Sequence, residues 1–214
     1  MEIAISMRPR QLESTLQSAC PVLDFEGRPR LDLEQYSTSP HLAAQVLCYI
    51  EEQYAAIAGK VVADFGCGCG VLTVGSGVLE AASVFSFDVD ERCIALTQRQ
   101  SSNVDMPMLE LVQLDLSCGL PSRTLFDTVL MNPPFGTRKA GIDIAFVDLG
   151  LRTAEEVFSL HKTSTRRYIE KHCAEVAAEA EVLATLRYDL PKTHKIHTKK
   201  SVDIEVDLWR IAKV

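Results

Sequence analysis

Apolar runs short enough to be buried strands alternate with amphipathic segments through the middle of the chain. Val61-Val62-Ala63-Asp64-Phe65 is followed by glycines and a helical pattern over 71–80. The unit repeats with a strand at 83–88 and a helix at 91–101, then strands at 109–114 and 126–131. Residues 144–152, 157–160, 165–176 and 182–188 continue the alternation less cleanly. Over 201–211, Val202, Ile204, Val206 and Leu208 alternate with Asp203, Glu205 and Asp207, which predicts a strand with one apolar face. Upstream, Leu12, Leu16 and Ala19 share one side of a short helix over 10–19. Ser39-Pro40 reads as N-cap and first residue of a helix reaching about 57, with Leu42, Val46, Ile50 and Tyr54 at helical spacing.

This order predicts a doubly wound α/β fold: a mostly parallel, seven-stranded sheet. No convincing helix separates the last two strands, so they are expected to pair as an antiparallel hairpin across 191–200. Residues 60–214 form the expected core. Residues 1–59 form a helical extension that packs on it and lids its ligand site.

Composition narrows the class. With 214 residues, 47% of them hydrophobic, the chain can bury the core of one domain. Its formal charge of −7 means that nucleic-acid binding needs a local basic patch or a basic partner. The seven cysteines are odd in number and form no CxxC pair, so no zinc site is expected in this chain. Nothing approaches the ~18 apolar residues of a membrane span, and no secretory h-region opens the chain. Free thiols then point to a reducing intracellular compartment.

Asp64-Phe65-Gly66-Cys67-Gly68-Cys69-Gly70 sits at a strand-to-helix turn, where glycines let backbone approach a ligand. A dinucleotide fingerprint would place another glycine at 71, where this chain has Val71. Asp64 can bind an ammonium group or steer the water around one. Asp88, ending the second strand, can accept from both hydroxyls of a ribose. Asp115, after the third, can receive an adenine amino group. A ligand with an ammonium, a ribose and an adenine but no phosphate fits this set, and S-adenosylmethionine is such a ligand.

The fourth strand runs directly into Asn132-Pro133-Pro134-Phe135-Gly136. Two prolines hold the loop extended and aim the Asn132 side chain and the Pro133 carbonyl. An exocyclic amine such as N6 of adenine is a poor nucleophile, because its lone pair is delocalised into the ring. Two acceptors on its two hydrogens favour a pyramidal nitrogen with the lone pair turned to a methyl donor. Phe135 offers a ring on which an extruded base can stack. Methylation of cytosine carbon needs a cysteine nucleophile, and this loop has none.

The segment 192–200 has no acid, four lysines (Lys192, Lys195, Lys199, Lys200) and two histidines. Phosphate contact is its favoured reading. Arg138, Lys139, His161 and Lys162 are further candidates for substrate RNA, with Arg166, Arg167 and Lys171 a weaker cluster. A protein glutamine remains an alternative acceptor. An inactive scaffold that keeps the fold, and a nicotinamide dehydrogenase, are the readings from other classes.

The glycine turn and the Asn-Pro-Pro-Phe-Gly loop resemble those of class I amino-methyltransferases. Across almost the whole chain the sequence is similar to the eukaryotic methyltransferase-like family that makes N6-methyladenine in small-subunit ribosomal RNA. Leu33-Glu34-Gln35-Tyr36 with Thr38, Ser159-Leu160-His161-Lys162, Arg187-Tyr188-Asp189-Leu190-Pro191 and Lys199-Lys200-Ser201-Val202-Asp203-Ile204-Glu205-Val206 carry that likeness. The resemblance implies that Gln35, Thr38, Gly66, Cys69, Asp88, Asp115 and Leu116 line the donor pocket and that Asn132 to Phe135 hold the adenine. It implies a nuclear and cytoplasmic setting, and a small zinc-binding activator protein as partner. The third strand should be the sheet edge, and its apolar face, with Leu109, Leu111 and Gln113, would be covered by a strand of that partner.

Overall fold

The computed structural model describes residues 7–120, 126–191 and 201–213, with only the backbone of 188–191 and 201–203 described. Helices α1 (Pro9–Ala19) and α2 (Pro40–Tyr54) precede β1 (Val61–Phe65), α3 (Val71–Val78), β2 (Ser83–Asp88), α4 (Glu91–Ser101), β3 (Met108–Gln113) and β4 (Phe126–Met131). Then come α5 (Ile142–Thr153), β5 (Ala154–Lys162), α6 (Arg166–Glu175), β6 (Ala178–Pro191) and β7 (Ser201–Lys213).

The strands form one seven-stranded sheet in the order β3-β2-β1-β4-β5-β7-β6. The first five are parallel to their neighbours, and β7 runs antiparallel between β5 and β6. This is the doubly wound sheet and terminal hairpin that the apolar pattern predicts. The pattern itself follows from burial on both faces. Val62, Leu130, Phe158 and Leu208 pack toward α1, α2 and α3, while Ala63, Val129, Val157 and Trp209 pack toward α5 and α6.

The N-terminal helices belong to this core. Leu12 and Leu16 are fully buried with Leu47 and Ile50 of α2. Gln100 and Asn103 tie the following segment to the end of α4, through Val22 N–H (3.0 Å) and the Ala19 carbonyl (2.8 Å). Helix α2 begins as expected, with the Ser39 hydroxyl accepting from Leu42 N–H at 3.2 Å. It stops at Tyr54, three residues short of the expected end. Ala55 turns left-handed, and the Glu51 carboxylate takes the N–H groups of Ile57 and Ala58.

Gly70 shows how tightly the glycine turn is packed. Its φ is +78°, and a Cβ there would lie 2.8 Å from Thr97 Oγ1 and 3.0 Å from the Thr97 Cα on α4. Gly70→Ala therefore combines a left-handed backbone cost of about 1–2 kcal/mol with an overpacking cost of about 1–3 kcal/mol. A lowered urea midpoint without a change in slope is the expected result.

Candidate active site

The strand order reverses between β1 and β4, and ligands of open α/β sheets bind outside the carboxyl ends at such a point. Phe65 and Met131 pair across these strands, so the glycine turn and the Asn132 loop leave the sheet side by side. Gly66, Gly68 and Gly70 all have positive φ, and the N–H groups of Gly66 and Cys67 both donate to the Phe87 carbonyl. That folds the turn over the end of β2, where Asp88 stands. One Asp88 oxygen accepts from Gly68 N–H and the other from Asp90 N–H, each at 2.9 Å. Burial raises the Asp88 pKa, opposed by these backbone donors.

A cleft enclosing about 930 Å³ opens here. Asp88, Asp115 and Leu116 form one side, Asn132 and Pro134 another, and residues 32–36 cover it. A smaller pocket of about 300 Å³ shares Tyr36, Gly66, Gly68 and Asn132 with it and adds Thr38, Cys67 and Cys69. The structure therefore gathers Gln35, Thr38, Gly66, Cys69, Asp88, Asp115 and Leu116 around two adjoining cavities. Asp115 also caps the short turn Leu116–Cys118 by accepting from Ser117 N–H, and this side-chain hydrogen bond lowers its pKa.

Asp64 lines neither cavity. It is fully buried behind the turn, where Oδ2 accepts from the Thr73 hydroxyl at 2.7 Å. Oδ1 is buried with no hydrogen-bond partner among the described residues. Burial, reinforced by the charge of Asp88, pushes its pKa up to about 7.

In the proline loop the Asn132 amide group donates from Nδ2 to Thr38 Oγ1 at 3.0 Å. Pro133 is buried and Pro134 faces the cleft. Phe135 differs from expectation. It is only 7% exposed and packs into the core, with the Tyr36 ring nearly parallel at 6.3 Å between centroids and the Lys162 ammonium 5.2 Å above its ring. Its ring is thus already flanked, where the sequence suggested an open stacking face.

The basic candidates separate in space. Lys139 lines the cleft beside Asp115, with Nζ 3.4 Å from Ser117 Oγ, which places it on the donor side. The Arg138 side chain is exposed, and its backbone N–H donates to Glu34 at 2.8 Å. His161 is not available to phosphate, which corrects its assignment to the RNA surface. It is 1% exposed, hydrogen-bonded to Ser159 at 2.7 Å, and burial holds its pKa down at about 4, so it is neutral. Arg166 forms a bidentate pair with the buried Asp207, leaving Arg167 and Lys171 as the exposed members of its cluster. Lys192, Lys195, Lys199 and Lys200 lie outside the described residues.

Strand β3 is a sheet edge, pairing with β2 alone among the described residues. Leu109 and Leu111 are half-buried, Gln113 is exposed, and Met108 at the strand's start is 58% exposed. Among the described residues no helix is long and apolar enough to cross a membrane. Glu34 and Tyr36, both on the cleft wall, were not singled out as site residues from the sequence. Their signal is the spacing 34, 36, 38, in which alternate residues of one segment turn to the same loop.

The sheet order, the glycine turn and the acids at successive strand ends define a class I methyltransferase, and S-adenosylmethionine is its cofactor. The residues present fit that donor: the cleft has the size of a small-molecule site, Asp88 stands at its rim, and Asp64 holds an unpartnered oxygen behind the turn. The methyltransferase small domain family matches residues 43–159. An rRNA N(6)-adenosine-methyltransferase METTL5 from Danio rerio is 45% identical over 207 residues, covering 95% of this chain and 98% of the relative. The Drosophila melanogaster counterpart is 42% identical, covering 95% and 96%. The crystal structure of a candidate RNA methyltransferase from Pyrococcus horikoshii superposes with a TM-score of 0.83 at 30% identity, covering 97% and 98%. The chain belongs to the METTL5 family of methyltransferases.

Proposed function

We propose that this enzyme transfers a methyl group from S-adenosylmethionine to N6 of an adenine in small-subunit ribosomal RNA, bound to a small zinc-binding activator protein. The observation that carries the reading is Asn132, oriented by Thr38 on the wall of a cleft shared with Asp88 and Asp115. The names of the relatives in fish, fly and worm, all rRNA N(6)-adenosine-methyltransferases, support adenine in rRNA as the acceptor.

Bound S-adenosylmethionine supplies a methyl group on a sulfonium, which leaves as a neutral thioether. This chain's residues do the rest by placement. Asp88 receives the ribose hydroxyls and Asp115 the adenine amino group of the donor, with Gln35, Gly66, Cys69 and Leu116 closing around it. The Asn132 side-chain oxygen and the Pro133 carbonyl take the two hydrogens of the acceptor nitrogen. The lone pair then points to the methyl, the new N–C bond forms as the S–C bond breaks, and the surplus proton passes to water. Tight placement of this kind can supply roughly 7–11 kcal/mol of the barrier. Arg138 and Lys162 flank the acceptor side, and the basic segment 192–200 adds phosphate contact. The nucleus and cytoplasm are the setting this reading entails.

The activator's seat is the β3 edge. Its exposed Met108 and half-buried Leu109 and Leu111 offer backbone and apolar side chains to an added strand. Leu111→Lys should weaken co-purification with the activator and leave the isolated chain's donor binding intact; undiminished assembly would rule out this edge. The reaction itself is tested by methyl transfer to total cellular RNA with the activator present, followed by nucleoside analysis. N6-methyladenine in small-subunit rRNA is expected. A methylated glutamine in protein, or a different nucleoside, would overturn the assignment.

A further inference from the structure

Residues 34–38 lie between the short turn Leu31–Leu33 and the N-cap of α2, and their side chains divide between two walls. Gln35 turns to the donor side. Its Nε2 donates to Asp90 Oδ2 at 3.0 Å and meets Cys93 Sγ at 3.3 Å, at the start of α4. Glu34, Tyr36 and Thr38 turn to the proline loop, and each touches a different part of it. Thr38 Oγ1 accepts from Asn132 Nδ2 at 3.0 Å, at the loop's entry. The Tyr36 ring lies beside Phe135. The Glu34 carboxylate accepts from Arg138 N–H at 2.8 Å, at the loop's exit. Glu34 does this from a left-handed backbone (φ 51°, ψ 43°), a conformation that costs a residue with a Cβ and needs holding contacts.

We infer that this strap is the second half of the acceptor site, and that Thr38 is a positioning residue that sets which end of the Asn132 amide meets the acceptor nitrogen. The inference rests on the amino-methyltransferase reading above. An asparagine amide has nearly the same shape either way round, and only its hydrogen bonds distinguish oxygen from NH2. Turned the wrong way, Asn132 would set two N–H donors against an amino group that is itself a donor, and the nitrogen would not be drawn into place. Thr38 Oγ1 accepts the Nδ2 hydrogen and so turns Oδ1 the other way. The same strap is pinned to the donor wall by Gln35 and to the loop's exit by Glu34. Closing over the donor and orienting the acceptor loop are therefore one structural event.

The test uses the chain with its activator. Donor affinity is measured calorimetrically, and single-turnover methylation of rRNA is measured at saturating S-adenosylmethionine. Thr38→Val removes the hydroxyl and keeps the shape. It should lower the single-turnover rate roughly a hundredfold, the scale of a small misplacement of reacting groups, with donor affinity nearly unchanged. Thr38→Ser restores the acceptor and should recover most of the rate, which a merely structural role for the methyl-bearing side chain would not produce. A Thr38→Val enzyme with the wild-type rate overturns the inference, and so does a deficit that vanishes once donor saturates. Tyr36→Ala gives an independent arm: a higher KM for RNA at unchanged donor affinity supports the strap, and an unchanged KM and rate counts against it. Wild-type activity on RNA is the shared control. Its absence sinks the substrate reading, whereas a fully active Thr38→Val beside an active wild type sinks only the strap.

Discussion

Asn132→Ala is expected to reduce methyl transfer to RNA by a hundred- to a thousandfold, roughly the cost of removing one preorganised polar group from a reacting centre. Donor binding should survive. The donor's acids, Asp88 and Asp115, stand at the ends of β2 and β3, and their hydrogen bonds go to Gly68, Asp90 and Ser117 rather than to Asn132. Single-turnover rates at saturating S-adenosylmethionine, with calorimetry of donor binding, separate the two effects. Retention of more than about a tenth of the rate would mean that the Pro133 carbonyl alone suffices to orient the nitrogen, because each lost tenfold corresponds to only about 1.4 kcal/mol. Asn132→Asp is a sharper variant. It keeps an oxygen but loses the Nδ2 hydrogen that Thr38 accepts, and it brings a negative charge beside a cleft already walled by Asp88. It should therefore also lose most of the rate.

The sheet could be read from the sequence because its central strands are buried on both faces, which leaves short apolar runs separated by turns. The acids were equally visible, since Asp88 and Asp115 stand where those runs end. The same burial hid His161. A period-two pattern tells which side of a strand a residue takes, yet in β5 both sides are covered, so lying near the strand's end gave no access to solvent. Phe135 misled for a related reason. The motif fixes an aromatic at that position, but its exposure depends on Tyr36 and Lys162, which reach it from elsewhere in the chain. Lys139 was grouped with the RNA-facing residues by its closeness to the loop in sequence. Its place beside Asp115 follows from the approach of the turn Leu116–Cys118, which no local pattern reports. The strap at 34–38 has no helical or strand periodicity. Its alternation becomes informative only once the register of Phe65 with Met131 brings the proline loop within reach.

Asp64 should make donor affinity depend on pH. Its carboxyl is fully buried, titrates at about 7, and carries an oxygen without a partner among the described residues. A cationic donor favours the ionised form, so below pH 7 binding must expel the Asp64 proton. Affinity should then rise with pH by up to about tenfold per unit and level off above 7. Proton release should approach one per donor near pH 6 and fade toward pH 8. The donor's own α-amino group titrates at about 7.7–8.0, which sets the upper end of the window. Stability runs in the opposite sense. The folded chain holds the Asp64 proton up to about pH 7, whereas an unfolded aspartate releases it near 3.9. Within that window the folded state binds more protons, so this group's contribution to stability is greatest at low pH and is lost as pH rises toward 7. His161 acts oppositely: burial lowers its pKa to about 4, so its contribution is present above about 6.5 and lost as pH falls toward 4. Calorimetry of donor binding in buffers of differing ionisation enthalpy measures the released proton directly. Asp64→Asn keeps an acceptor for the Thr73 hydroxyl but cannot ionise. It should flatten the pH profile below 7 and bind the donor more weakly than wild type at pH 8. Asp88 remains intact in that variant, so a profile that persists unchanged would move the titration from Asp64 to Asp88.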